Sequence, residues 1–181
     1  MNQVNDNVYQ RLGIDMNVLA GILLLIQFFL LLIFFNVQAN ILLLGIGWVL
    51  LLPGFILSIL PITTLSTHGQ VPEGDDWYET RIVVRAGLYG ICRHPIILGS
   101  MILSISLTLI IQFWLSTLIT AITVLLLIDV AIMEDNNNVE KLGSDYFTYR
   151  REVPRFNVFL GMYRYYKRRR IAVSNKDIVR N

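Results

Sequence analysis

The sequence predicts an all-α integral membrane protein, a single domain over residues 1–181 with about four transmembrane helices and a cytoplasmic C-terminal helical segment. Two observations predict this class. Apolar residues make up 55% of the chain and charged residues only 15%, against about 45–50% and 25% in soluble domains. The apolar residues are also concentrated in long runs, which the core of a soluble domain of this length would not accommodate.

Four apolar runs define the predicted transmembrane helices. Residues 16–35 contain no charged side chain, and a helix of this length covers about 30 Å, the thickness of the hydrocarbon core. A cleaved signal peptide is the alternative, because Val37-Gln38-Ala39 resembles a cleavage site; the length of the run and the acidic Asp6 and Asp15 before it favour a retained helix. The other predicted helices cover residues 41–60, 96–111 and 113–133.

The segments between these runs are predicted to be loops. Residues 61–87 contain several prolines and glycines and read as a polar loop. Only Gln112 separates the third run from the fourth. Because the two runs together are too long for one crossing, we expect a tight hairpin at Gln112.

The charge distribution predicts the orientation in the membrane. In the four-helix topology, all fifteen Lys and Arg residues fall on one side: Arg11, three between Arg81 and Arg93, and eleven from Lys141 onward. The positive-inside rule makes that side cytoplasmic, together with both termini. The net charge of +2 is too small to indicate nucleic-acid binding. A single cysteine excludes an intrachain disulfide and a Cys-based metal cluster, and with only two histidines we expect no zinc site.

The first polar segment with possible chemistry precedes the third predicted helix. Pro95 suits the first position of a helix, and His94 before it is pushed toward an extended backbone. Arg93 and His94 are therefore expected at the membrane surface beside a helix N-terminus, where free N–H groups attract anions. Contact of Arg93 with lipid headgroups and a capping role for His94 explain the same pattern equally well.

The second polar segment begins inside the fourth predicted helix. Asp129 lies about one turn from its end, and a carboxylate there is costly enough to be a functional candidate. A hydrogen bond to another helix is the alternative. Glu134 and Asp135 follow the apolar run and otherwise form a hydrated helix end, whereas Tyr146 and Tyr149 share the face of a further short helix.

Two motifs carry a family resemblance. The first is Gly87-x-Tyr89-(x)3-Arg93-His94-Pro95-(x)3-Gly99, and the second joins Glu134-Asp135 to Leu142-Gly143 and Tyr146-(x)2-Tyr149-(x)3-Val153-Pro154-Arg155-Phe156. In order and spacing they resemble the isoprenylcysteine carboxyl methyltransferase and phospholipid methyltransferase superfamily of integral membrane enzymes. The resemblance covers roughly residues 80–160.

The resemblance implies S-adenosylmethionine as cofactor and a lipidic or prenylated acceptor. The residues that would bind the cofactor are Tyr89, Arg93, His94, Gly99, Glu134, Asp135 and Tyr146. The cations suit its carboxylate, the acidic side chains its ammonium and hydroxyl groups, and a tyrosine face its sulfonium. The predicted catalytic residues are Arg155 as clamp for a carboxylate acceptor, Asp129 as base for an amine acceptor, and Tyr149 as an aromatic ring near the sulfonium.

Two other functions remain open, a sterol-type reductase with a nicotinamide cofactor and a non-enzymatic membrane protein of the same fold. Ile97 occupies a position that is usually aromatic in the family, and Asp135 stands where a second glutamate is common. The tail, residues 158–181, mixes apolar and basic residues and is predicted to lie on the membrane surface, in contact with anionic lipid.

Overall fold

The computed structural model describes residues 16–76 and 78–180, with side chains to residue 171. These residues form six α-helices and no strand, as the predicted all-α class requires. The acidic and basic residues of the N-terminal segment, Asp6, Arg11 and Asp15, lie outside the described residues. The helices are α1 (Met16–Ile33), α2 (Ile41–His68), α3 (Pro95–Ile111), α4 (Trp114–Leu142), α5 (Ser144–Glu152) and α6 (Val158–Arg180).

The chain divides into two compact units. The first contains the described residues up to Leu57 and Ile97–Met133, and the second contains Ser58–Ile96 and the residues from Glu134 onward. The apolar parts of the long helices therefore belong to the first unit. Most of the polar and charged residues belong to the second.

Three helices in the described part of the chain are long and apolar enough to cross a membrane, namely α1, α2 and α4. The apolar helix α3 has 17 residues and is shorter. Large apolar side chains of the first unit are exposed, among them Leu32 at 69% and Val49 at 73%. Exposed apolar side chains on long apolar helices are expected where lipid is the surrounding solvent.

A neutral polar cluster joins α1, α3 and α4 inside the first unit. The side chain of Gln27 is completely buried. Its Nε2 lies 2.7 Å from the Thr120 hydroxyl, 3.1 Å from that of Thr108 and 3.2 Å from that of Ser116, and its Oε1 accepts a hydrogen bond from the Ser104 hydroxyl at 2.7 Å. We call these five residues the Gln27 cluster; each lies in the apolar part of its helix.

The break between α3 and α4 is at the position that the sequence predicts. Gln112 adopts a positive φ of 55°, and its side-chain amide pairs with the backbone of Asn40, at 2.8 and 3.0 Å. On the same unit, α2 passes close to α3: a Cβ on Gly47 would lie 2.7 Å from Ile110 Cγ1. A glycine at this position lets the two backbones approach closely.

Two helices extend beyond their predicted ends. α2 continues to His68 rather than ending at residue 60, so that residues 61–68 are helical and not part of a loop. Pro61 removes one backbone donor from this helix. Hydroxyls in the extension bond to nearby carbonyls, Thr63 to Leu60 O at 2.9 Å and Thr67 to Thr63 O at 2.7 Å.

The extension of α4 to Leu142 has a packing cause. Tyr146, Tyr149 and Val153 form a buried cluster on α5 and its C-terminal end, and Val139 and Leu142 of α4 pack against it. Gly143, with a φ of 64°, then ends α4 and lets the chain turn into α5. The polar residues after Met133 are therefore helical because the C-terminal end of α4 packs against this cluster.

Candidate functional site

The two sequence motifs meet in the second unit. The backbone N–H of Arg93 donates to Pro154 O at 3.0 Å, and that of His94 donates to Arg155 O at 3.3 Å. The Cys92 thiol also donates to Arg155 O, at 3.0 Å. These bonds hold the extended segment before α3 against the segment that follows α5.

Asp135 is the centre of the site. Its side chain is completely buried. Its Oδ1 accepts hydrogen bonds from Arg93 Nη1 at 3.1 Å, His94 Nε2 at 2.9 Å and the Tyr146 hydroxyl at 2.8 Å. Its Oδ2 accepts from Arg155 Nε at 3.0 Å and Nη2 at 2.9 Å. A carboxylate offers about four lone-pair positions, so the carboxylate of Asp135 is fully occupied by side chains of the protein. We call these five residues the Asp135 network.

His94 lies between two carboxylates. Its Nε2 faces Asp135, and its Nδ1 is 3.1 Å from Glu134 Oε2. Burial opposes protonation of the ring, but the hydrogen bonds to Asp135 and Glu134 outweigh burial and raise the pKa of His94 above its ordinary value. An ionised carboxylate only accepts hydrogen bonds, so two of them favour a proton on both ring nitrogens. The surroundings of His94 therefore favour its imidazolium form.

The site has an excess of positive charge. Arg93, Arg155 and protonated His94 face only two carboxylates, those of Asp135 and Glu134. Arg93 Nε is buried and has no hydrogen-bond partner. Glu134 and Arg155 keep exposed side-chain fractions of 45% and 28%. An unpaired guanidinium donor in a cationic site is suited to an anionic group of a ligand.

The tyrosines of the site are neutral. Burial raises the pKa of Tyr89, Tyr146 and Tyr149 well above the ordinary value for a phenol. The Tyr149 hydroxyl donates to Tyr89 O at 2.7 Å, and the Arg85 guanidinium lies 5.5 Å from the centre of the Tyr149 ring. Tyr149 thereby fixes the backbone at Tyr89, and none of the three phenols is poised to act as a base.

Most of the predicted site residues belong to the second unit, and two of them belong to the first. Gly99 and Asp129 belong to the first unit. Gly99 is buried in α3, and Asp129 is exposed on α4. The predicted site residues found in the second unit are Tyr89, Arg93, His94, Glu134, Asp135, Tyr146, Tyr149 and Arg155.

Sequence reasoning missed Arg168, which it assigned to a lipid-binding tail. Arg168 Nη2 donates to Gly90 O at 2.8 Å, and Nη1 donates to Glu152 O at 2.9 Å. It thus links the turn that carries Tyr89 to the end of α5. The spacing of Gly161, Arg164 and Arg168 on one helical face is the signal that could have revealed this contact.

No protein-family model matches the chain, and neither a curated protein nor a solved structure matches it. In the described part of the chain, no group of three or more His, Cys, Asp or Glu residues is arranged to hold a metal ion. The motifs and the geometry of the Asp135 network are therefore the features that bear on function.

Proposed function

We propose that the protein is an S-adenosylmethionine-dependent membrane methyltransferase that resembles the isoprenylcysteine carboxyl methyltransferase and phospholipid methyltransferase superfamily. One observation carries the proposal. The two motifs of the resemblance, far apart in sequence, meet at a buried network around Asp135 that has excess positive charge and an unpaired donor on Arg93. Such a network suits an anionic group of a ligand, here the α-carboxylate of S-adenosylmethionine.

The residues of the site fit the proposed cofactor. When bound, S-adenosylmethionine would supply an electrophilic methyl group on a sulfonium. Arg93 Nε would hold its carboxylate. The exposed carboxylate of Glu134 would accept hydrogen bonds from its ammonium or hydroxyl groups. Asp135, whose oxygens are occupied, would hold the cations in position and not contact the cofactor.

We propose that α3 also crosses the membrane, so that it forms a multi-pass topology of four helices with α1, α2 and α4. Its 17 residues cover about 26 Å, and a small shortfall against the hydrocarbon thickness is tolerated by local thinning of the bilayer. The basic residues would then face the cytoplasm, with both termini. Trp114 at the start of α4 is 67% exposed, and the Phe34 and Phe113 rings stack at 4.5 Å. Aromatic side chains at helix ends are typical of a membrane–water interface, and these support one on the side opposite to the basic residues.

The acceptor we propose is the polar head of a lipidic or prenylated molecule. Arg155 would clamp an acceptor carboxylate with the part of its guanidinium that Asp135 does not use. Asp129, exposed on the apolar α4, would instead suit an acceptor amine. Transfer of a labelled methyl group to carboxylate-bearing or amine-bearing lipids separates the two, and Arg155→Gln and Asp129→Asn should each abolish only one of them.

The cofactor is tested first by thermal unfolding of the detergent-purified protein. We expect S-adenosylhomocysteine at about 100 times its Kd to stabilise the protein by about 2.7 kcal/mol, a rise in Tm of about 5–10 °C. Glu134→Ala and His94→Ala should abolish this rise. The matched controls are Glu140→Ala, also on α4 and exposed, and His68→Ala at the exposed end of α2. Stabilisation by NADPH alone, or an unchanged rise in both site variants, would contradict the proposal.

A further inference from the structure

The C-terminal helix α6 turns an aromatic stripe away from the protein. Phe159, Tyr163 and Tyr166 have exposed fractions of 87%, 66% and 60%. Their spacing of four and then three residues places them on one helical face. Met162 lies beside them and is 40% exposed. In a water-soluble helix the apolar side chains face the protein, and here they face outward.

The opposite face of α6 is fixed to the second unit by small and polar contacts. A Cβ on Gly161 would lie 1.9 Å from Ile91 O, so only a glycine permits this approach. Arg164 Nη1 donates to Arg151 O at 3.2 Å, and Arg168 bonds to Gly90 O and Glu152 O. The outward direction of the aromatic stripe is therefore set by specific contacts on the other side of the helix.

Three exposed cations border the stripe. Arg170 follows Tyr166 by four residues and lies on the same face, while Lys167 and Arg169 lie on either side of it. The arginines at positions 164 and 168 are engaged with backbone carbonyls and do not contribute to this surface. The face thus combines aromatic rings with a dense positive charge.

We infer that the outer face of α6 binds the surface of an anionic bilayer. Aromatic rings are enriched at the headgroup level of membranes, and clustered Lys and Arg beside an apolar face bind anionic headgroups. A second copy of the chain is a poorer partner because its own three cations would face these three. This inference rests on α6 alone and does not depend on methyl transfer.

A nitroxide label at Tyr166→Cys, in the full chain reconstituted in nanodiscs, tests whether the outer face of α6 contacts the bilayer. Cys92 is only 1% exposed, and burial raises the pKa of its thiol to about 11, so it stays unlabelled. In discs that contain phosphatidylserine, we expect the label to gain collisions with oxygen and to lose collisions with a water-soluble nickel reagent. A label at Asp75→Cys, in an exposed acidic loop, should show the same accessibility in neutral and anionic discs.

Charge variants test the electrostatic part. Each cation near an anionic surface changes the binding equilibrium about fivefold, so Lys167→Gln/Arg169→Gln/Arg170→Gln should weaken docking about a hundredfold, and high salt should mimic it. The control Arg81→Gln/Arg150→Gln/Arg151→Gln removes the same charge from exposed positions elsewhere. The inference is wrong if the label at position 166 remains accessible to the nickel reagent in both neutral and anionic discs. It is also wrong if, in detergent, the label becomes less accessible as the protein concentration rises, because this would indicate a protein partner.

Discussion

Each of the two units contains a completely buried polar residue at the centre of a hydrogen-bond network, which we call its hub, and the two hubs differ in charge. Gln27 in the first unit contacts the four hydroxyl side chains of its cluster. Asp135 in the second unit contacts two arginines, a histidine and a tyrosine. Both have 0% exposure, yet one hub is neutral and the other is ionic.

The difference follows from what the partners do when the hub is absent. In the Gln27 cluster the hydroxyls also bond to one another, Thr108 to Ser116 at 2.8 Å and Ser104 to Thr120 at 3.0 Å. The cations of the Asp135 network repel one another and have no such alternative. A neutral hub can therefore be replaced at a small cost in stability, since its partners can form hydrogen bonds with each other. Replacing a charged hub costs more, because its partners repel one another.

The largest expected effect is that of Asp135→Asn. The substitution keeps the shape of the side chain but leaves Arg93, His94 and Arg155 without a buried counter-charge, and we expect a loss of about 3–5 kcal/mol in the free energy of unfolding. Chemical unfolding in detergent measures this loss. Glu134→Gln is the matched control, because Glu134 is 45% exposed and contacts only one cation. Equal losses in the two variants would show that Asp135 is not the hub.

A smaller loss is expected for Gln27→Leu. The change removes one amide and leaves hydroxyls that can pair, so we expect about 0.6–1.7 kcal/mol, the range for hydrogen bonds between membrane helices. Gln38→Leu is the control for the same chemical change at an exposed position between α1 and α2. The comparison of the two hubs fails if Gln27→Leu destabilises the protein as much as Asp135→Asn.

The smallest expected effect is a dependence of stability on pH, which we expect from the Asp135 network and not from the Gln27 cluster. The pKa of His94 is raised in the folded protein. Its contribution to stability is therefore complete below the unfolded value of about 6.5 and is lost as pH rises through the raised folded value, by about 1.4 kcal/mol for each pKa unit. The Gln27 cluster has no titratable side chain.

Thermal unfolding as a function of pH measures this dependence. Tm should fall as pH rises above about 6.5, and His94→Gln should remove that part of the slope. His68→Gln serves as the control, since His68 is exposed at the end of α2. A slope that persists in His94→Gln but disappears in His68→Gln would contradict the assignment.

The sequence predicts where the helices begin better than where they end. Apolar runs and Pro95 mark the starts of α1, α2 and α3 within a residue. The ends at His68 and Leu142 lie beyond the apolar runs. The end of α4 depends on packing against the tyrosine cluster of α5, which no local pattern contains.

The grouping of these side chains was predictable, but their arrangement was not. The motifs group Arg93, His94, Glu134 and Asp135, and the structure brings these four side chains into contact. Neighbouring residues on a helix point about 100° apart, so only tertiary packing determines that Asp135 is the buried hub and Glu134 the exposed carboxylate. Likewise, Gln27 is visible in the sequence as a polar residue in an apolar run, while its partners lie 77 to 93 residues away.

The distance along the chain between the cations and their hub has a consequence for biosynthesis. Asp135 follows Arg93 by 42 residues, which at about 5–20 residues per second is a delay of about 2–8 s. During that interval, the Arg93 guanidinium lacks the counter-charge of Asp135 and must remain hydrated. Arg168, which links Gly90 to the end of α5, emerges from the ribosome later still. The site can therefore be assembled only after the apolar part of α4 has been made.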